Sequence, residues 1–517
     1  MAASAHKNQN ASTLGAIVSQ QLFILIFGLS ALSMLIPALH GGANRSYETA
    51  RAFLYSGLFG LIIFAMIVIA QAGRRPRHGA VGNLMSVFAT FVFLPAYLAL
   101  PIFEALQTTS FLNAYLEMVS AVTTTGATVF DDPARLNNTL HLWRAQVGWM
   151  GGMMMWVAAS AILAPMNLGG FEVTAQAEPG QREGKFTALE RTDPRDRLLR
   201  IVQALVPIYV GLTLLLWILL LISGDPSLVA LTHAMSIMST SGISAVGGLS
   251  DGGSGVTGEA LMMLFMLFAL SRLTFSSDTV TATQGGIRND PEFRIGILII
   301  VGVPLVLFLR HWIGALDVAR EDNLFLAMRA LWGSVFTVMS FLTTTGFASA
   351  DWAEAQAWSG LNTSGMILMG LALTGGGVAT TAGGVKLLRV FALYLNGKRE
   401  LERLVHPSSV SGAGKESRRL QRNGAFIAWI FFMLFAMTMA ILTMTLTFLG
   451  VEFEDAIVLS IAGLSTTGPL TSLAAETPIS IAELGPYAKS VFCAAMVFGR
   501  LETLAIIALF TPDLWRG

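Results

Sequence analysis

A succession of apolar runs, near positions 20–38, 52–72, 84–103, 201–222, 260–270, 295–309, 364–373, 425–449 and 491–511, constrains this chain more than any other feature. Most approach the roughly 20 residues a helix needs to cross a bilayer. With 54% hydrophobic and 12% charged residues, about half the charged share of a soluble domain, the chain has too few polar side chains to cover those runs in water. Inside lipid every backbone polar group needs a partner within the protein, so runs of this length span as helices. The fold class is therefore an all-α polytopic membrane protein. The stretch before residue 20 is short and polar, and no small-residue cleavage pattern follows the first run, which is expected to remain as a helix.

Charge distribution gives an orientation. Basic residues gather at Arg74, Arg75 and Arg77, from Arg182 to Arg200, at Arg288 and Arg294, and from Lys386 to Arg422. The alternate connections carry Asp131, Asp132, Asp225, Asp251, Asp351, Glu354, Glu452, Glu454 and Asp455. Placing the basic set in the cytoplasm puts the amino terminus there too and the acidic set outside. Cys493 is the sole cysteine and lies in an apolar run, which excludes an internal disulfide and a cysteine-based zinc site.

Four short polar loops recur roughly every 110 residues. They read Thr123-Thr124-Thr125-Gly126, Ser239-Thr240-Ser241-Gly242, Thr343-Thr344-Thr345-Gly346 and Ser465-Thr466-Thr467-Gly468. Each follows a short semi-polar stretch, Leu112 to Val122, Leu228 to Met238, Leu326 to Leu342 and Ala456 to Leu464, read as re-entrant. An apolar helix flanks each pair on either side. The chain thus divides into a two-helix segment at 1–80 and four units of helix, pore helix, loop and helix, at 81–198, 199–293, 294–421 and 422–517. Two leading helices and two per unit give about ten crossings, with all four loops on the outward side.

Such loops suit a weakly hydrated monovalent cation. Irregular backbone at membrane depth is tolerated only inside protein or facing water, and a ring of carbonyls can replace an ion's hydration shell. Glycine allows successive carbonyls to turn the same way, Thr and Ser add hydroxyl oxygens, and the pore helices aim their negative ends at the loops. The expected ion ligands are Thr124, Thr125, Gly126, Thr240, Ser241, Gly242, Thr344, Thr345, Gly346, Thr466, Thr467 and Gly468.

At these loops the chain resembles the Trk/Ktr/HKT superfamily of potassium transporters, and within it the bacterial TrkH-type membrane subunit. Trp143-Arg144 followed by Gly151-Gly152, Ala177-Glu178-Pro179-Gly180 and Gly499-Arg500-Leu501-Glu502 carry the resemblance further, as do the two leading helices. It implies K+ as the transported ion, no organic cofactor, a lipid-embedded homodimer in the cytoplasmic (inner) membrane, and gating by a cytosolic nucleotide-binding subunit of the TrkA type.

The third unit interrupts an apolar stretch with Thr374-Gly375-Gly376-Gly377-Val378-Ala379-Thr380-Thr381-Ala382-Gly383-Gly384-Val385-Lys386. Each glycine weakens a helix by about 1 kcal/mol relative to alanine, so a break into two half-helices is expected. A close-packed small-residue helix contact is the other reading. The resemblance makes Gly375, Gly376, Gly377, Ala379, Thr380, Thr381, Gly383, Gly384 and Lys386 an intramembrane gate, with Ala379 and Thr380 departing from the family's usual Gly and Ser. By the same resemblance Arg500 lies near the filter, bracing loop carbonyls or offsetting charge at the ion path. A structural ion pair with a carboxylate from another helix is the other reading, and Glu502, two residues on, is expected on a different face. Arg272 and Asp278 fit no part of the pattern, and His141 and His233 lack ligand spacing.

No nucleophile-base pair, metal cluster or phosphate loop supports an enzyme. A secondary small-solute transporter would call for inverted repeats and mid-membrane carboxylates, whereas these repeats run parallel. A sodium-permeable or poorly selective cation transporter is the nearer alternative, since by resemblance Ser in place of the first loop's glycine is the sodium-leaning form.

Overall fold

The computed structural model describes residues 21–71, 80–166, 168–171, 194–271, 290–313, 324–361, 363–405, 424–502 and 506. Arg74, Arg75, Arg77, the 177–180 stretch, Arg272, Asp278, Arg288 and Arg422 lie outside them.

Eight described helices are long and apolar enough to cross a membrane: α1 (Leu22–Ala43), α2 (Tyr47–Ala70), α3 (Gly82–Ala105), Asn138–Met166, Asp196–Ile222, Pro291–His311, Leu324–Leu342 and Gly424–Phe448. Their outward residues, among them Ile62, Ile69, Ile222, Leu298, Val306, Met444 and Phe448, stay exposed, as a lipid-facing surface requires.

After α1 to α3 the order is α4 (Phe111–Val122), α5 (Asn138–Ala158), α6 (Pro194–Ile222), α7 (Ser227–Ser239) and α8 (Gly255–Met266). Then come α9 (Pro291–Ile313), α10 (Leu324–Leu342), α11 (Trp352–Ser359), α12 (Ser364–Thr374), α13 (Leu387–Val405), α14 (Gly424–Phe448), α15 (Phe453–Leu464), α16 (Leu470–Leu473) and α17 (Pro486–Leu501). The helices that lead into the four loops are α4, α7, α10 and α15. The third is two residues longer than the expected Leu326 to Leu342 stretch and, at 19 residues, is long enough to count among the spans rather than as re-entrant, with Leu324, Phe325 and Met328 exposed. The helices following the second and third loops, Gly255–Ala269 and Ser364–Thr374, are in turn too short to count as spans.

Helix packing closes a ring in chain order. The helix after each loop packs on the short helix of the next unit: α5 on α7, α8 on α10, α12 on α15, and α17 back on α4. The leading pair lies outside the ring against the first unit. Tyr97 Oη donates to the Ser56 carbonyl at 2.8 Å, Gln146 Nε2 to the Ser33 carbonyl at 2.9 Å, and Phe53 meets Trp143 edge to face.

Local sequence starts several of these helices. The Ser110 hydroxyl caps α4 by accepting the Asn113 N–H, and the Asn137 side chain caps α5 through the Leu140 N–H, each satisfying a donor the helix leaves unpaired. Pro486 opens α17, where its missing N–H is harmless.

Candidate functional site

All four short helices end alike. The N–H of the second loop residue bonds three residues back and that of the third bonds five back: Thr124 to Ala121 (2.9 Å) and Thr125 to Ser120 (2.8 Å). Thr240 bonds Ile237 (3.2 Å) and Ser241 bonds Ser236 (3.0 Å). Thr344 bonds Phe341 (3.1 Å) and Thr345 bonds Ser340 (2.8 Å), while Thr466 bonds Gly463 (3.2 Å) and Thr467 bonds Ala462 (2.9 Å). This is the Schellman ending, whose left-handed position normally carries Gly or Asn. Here Thr occupies it every time, with φ of 54°, 51°, 56° and 52° at Thr124, Thr240, Thr344 and Thr466. A β-branched residue there costs about 1–2 kcal/mol, and strain of this kind gathers at functional sites.

The loop glycines join these endings into a second ring. A Cβ added at Gly126 would strike the Ser241 carbonyl, one at Gly242 the Thr345 carbonyl, one at Gly346 the Pro469 ring, and one at Gly468 the Ala127 backbone. Each loop therefore leans on the next, and the fourth returns to the first. The Gly468 N–H donates to the Thr125 carbonyl at 2.6 Å across that last joint. Gly126, Gly242 and Gly346 have positive φ, and Gly468 does not.

Hydroxyls divide by position. Those of Thr123 and Thr125 lie 2.8 Å apart, those of Ser239 and Ser241 3.0 Å, and those of Thr343 and Thr345 3.0 Å. The Thr467 hydroxyl instead donates to the Ser465 carbonyl. First and third positions thus brace the loop. Second-position hydroxyls vary more: Thr240 donates to the Ser239 carbonyl, Thr344 accepts from the glycine-rich segment, and Thr124 and Thr466 bond no described residue.

The segment from Thr374 to Lys386 breaks the third unit's second helix, as its glycines foretell, and packs directly against the loops. Gly375, Ala379, Gly384 and Lys386 take positive φ. A Cβ at Gly383 would strike the Ser465 carbonyl and the Thr466 hydroxyl. The Gly383 N–H donates to Thr344 Oγ1 at 2.7 Å, the Val378 N–H to Glu292 Oε1 at 2.9 Å, and the Gly377 N–H to the Ala269 carbonyl at 2.9 Å. The Gly376 carbonyl accepts from Leu387 N–H, and Thr380 Oγ1 donates to the Gly377 carbonyl. Lys386 is buried and its ammonium donates to the Ala382 carbonyl. Ala379, Thr380 and Thr381 line a cavity together with Thr240, Met238, Trp156, Phe265 and Phe268.

Arg500 was expected against the filter carbonyls. Its hydrogen bond goes instead to the Thr381 carbonyl at 2.7 Å, so it holds the glycine-rich segment. Glu502, with a φ of 63°, pairs with Arg389 rather than Arg500. Its carboxylate accepts from Arg389 Nη2 at 2.6 Å, and that fully buried guanidinium also stacks 3.6 Å from the Phe431 ring centroid.

Sequence reading missed Arg389, Glu292 and two buried carboxylates behind the loops. Glu117 pairs with Arg144 at 2.5 Å and accepts the Val129 N–H at 3.0 Å. Glu259 accepts from Trp332, Ser349 and Ala350. Acidic side chains inside apolar helices were the available signal. Outside the spans, Asp225 is held below the usual carboxylate range: burial works to raise it, and the His233 ring and the Ser254 hydrogen bonds outweigh that effect.

Irregular backbone repeated four times in one ring, within a bundle of apolar helices, defines a membrane transport protein. Residues 83–516 match the model of the TrkH family, described as cation transport protein, and the chain belongs to that family, one of transporters and not of enzymes. It is 27% identical over 504 residues to the Trk system potassium uptake protein TrkH of Salmonella typhimurium, covering 96% of this chain and 97% of that one. The protein of the same description in Escherichia coli K12 is 26% identical over 493 residues, covering 94% and 96%. Among solved structures, the potassium transporter TrkH from Vibrio parahaemolyticus superposes with a TM-score of 0.80 at 26% identity, covering 97% of this chain and 99% of that one.

Proposed function

We propose that this chain is the membrane subunit of a potassium uptake system. The ring of four loops with left-handed threonines carries this reading: it gathers carbonyl and hydroxyl oxygens and no carboxylate, a ligand set suited to K+. Ions enter from the acidic outer face and are drawn inward by the membrane potential, worth about 2.3 kcal/mol per charge per 100 mV. Four units, 81–198, 199–293, 294–421 and 422–517, share selection, with Thr124, Thr125 and Gly126 and their counterparts as ligands. Gating falls to the segment from Gly375 to Lys386, braced by Arg500.

The amino terminus lies in the cytoplasm, and the protein works in the cytoplasmic membrane as a homodimer with a nucleotide-binding TrkA-type subunit. The names of the relatives, Trk system potassium uptake proteins, support only a potassium uptake system with partner subunits. Expression with such a partner in cells lacking potassium uptake should restore growth at low potassium. Failure of rescue by a well-expressed protein would overturn the reading.

A further inference from the structure

The segment that follows the third loop is tied down by side chains at three consecutive residues. The Ser349 N–H donates to Thr337 Oγ1 at 3.1 Å, the Ala350 N–H to Glu259 Oε1 at 2.7 Å, and the Asp351 N–H to Ser349 Oγ at 3.1 Å. The Ser349 hydroxyl in turn donates to Glu259 Oε2 at 2.7 Å, and Trp332 Nε1 donates to the same oxygen at 2.7 Å. Asp351 accepts from Arg329 at 2.6 and 2.8 Å. Glu259, only 2% exposed, thus gathers three donors. All three belong to the third unit, while Glu259 itself sits on α8, the helix after the second loop.

The first loop has a comparable tie made differently. Glu117 stands nine residues before Gly126 and accepts the N–H of Val129, three residues after it. Thr337 and Ser349 occupy the matching positions around Gly346. A threonine hydroxyl can accept that one N–H yet has no second oxygen for the next residue. Glu259 supplies those oxygens from across the unit boundary.

We infer that Glu259 is a positioning residue for ion selection, fixing the third loop's carbonyls by strapping residues 349–350 to the second unit. The inference rests on the reading of the ring as a potassium filter. Three residues of extended chain span about 10 Å, so the strap acts close to Gly346. A charge-assisted hydrogen bond to a carboxylate is stronger than a neutral one, and two of them, on a buried group that Trp332 also holds, leave the segment little freedom.

The test is the K+ over Na+ uptake ratio of purified full-length protein in liposomes. Glu259→Gln keeps the shape but replaces one acceptor oxygen by an NH2 group. Whichever way the amide sits, the Ala350 N–H or the Trp332 indole N–H then faces another donor. The ratio is expected to fall about tenfold. Adding Trp332→Phe removes one donor, so that the amide oxygen can take the Ala350 N–H and its NH2 can donate to Ser349 Oγ. The double variant is expected to return to within about twofold of the parent.

A merely structural role would change the amount of folded protein and leave the ratio of the folded protein at the parental value. Should Glu259→Gln fail to fold, Ser349→Ala removes one bond to the carboxylate, leaving it two donors, and also takes away the acceptor of the Asp351 N–H; an about threefold lower ratio is then expected. A folded Glu259→Gln or Ser349→Ala protein with the parental ratio, or a double variant no better than Glu259→Gln, overturns the inference. A parent protein that does not discriminate K+ from Na+ would instead remove the potassium reading beneath it.

Discussion

The four hydroxyl-glycine loops and the glycine-rich segment at 374–386 are both irregular backbone among buried helices, yet they are anchored in opposite ways. Each loop closes on the last turn of its own helix through a left-handed threonine, and its neighbours add mainly contact around the ring. The segment has bonds of its own, such as Leu387 N–H to the Gly376 carbonyl and Thr380 Oγ1 to the Gly377 carbonyl, but it is tied as well to distant elements: Glu292 on α9, the Ala269 carbonyl after α8, Thr344 of the third loop, and Arg500 on α17. Local bonds survive when helices shift as bodies, whereas bonds between separate helices are lost together when those helices move. On the proposed function, the same kind of backbone would serve as a fixed selector in one place and a movable obstruction in another.

Substitutions aimed at one region or the other sharpen this contrast. The largest effect is expected at the ring's tightest joint, where Gly126→Ser places a Cβ against the Ser241 carbonyl at a left-handed position. The K+ over Na+ ratio should fall on the order of a hundredfold, as sodium permeates a deformed loop. An unchanged ratio would show that this loop does not select. On the other side, Gly383→Ala drives a methyl into the Ser465 carbonyl and the Thr466 hydroxyl. It is expected to displace the segment and raise flux without a regulatory partner by about tenfold, read as tracer uptake into liposomes.

A smaller effect belongs to the hydrogen bond between the Thr344 hydroxyl and the segment's backbone. Thr344→Val keeps the shape but removes the acceptor of the Gly383 N–H, and partner-free flux should rise about threefold. The smallest concerns strain alone. Thr124→Gly relieves a left-handed threonine and is expected to stabilise the protein by about 1 kcal/mol, seen as a higher melting temperature in detergent. A lower one would mean that the Thr124 side chain contributes more packing than strain.

The repeat was legible because hydroxyl-hydroxyl-hydroxyl-glycine is a pattern of residue types, and the gate segment because glycines cannot continue a helix. The partners were not legible. Arg389 and Glu502 are 113 residues apart, and Glu259 and Ala350 are 91 apart, so no local spacing announces either pair. Arg500 was read as a functional charge, but its position on α17 relative to two stacked loops depends on packing that the sequence does not express. The left-handed threonines were missed for a different reason: Thr is a poor occupant of that position, and only the closed ring holds it there.

The division of labour is tested most directly by the K+ over Na+ ratio of Gly377→Ala, whose added methyl meets the Leu270 carbonyl and not a loop residue, measured in the same liposomes as its flux. If the loops select and the segment only obstructs, flux rises while the ratio stays at the parental value. A ratio that falls in step with the added flux would place selection partly in the segment itself and contradict the assignment of selectivity to the ring.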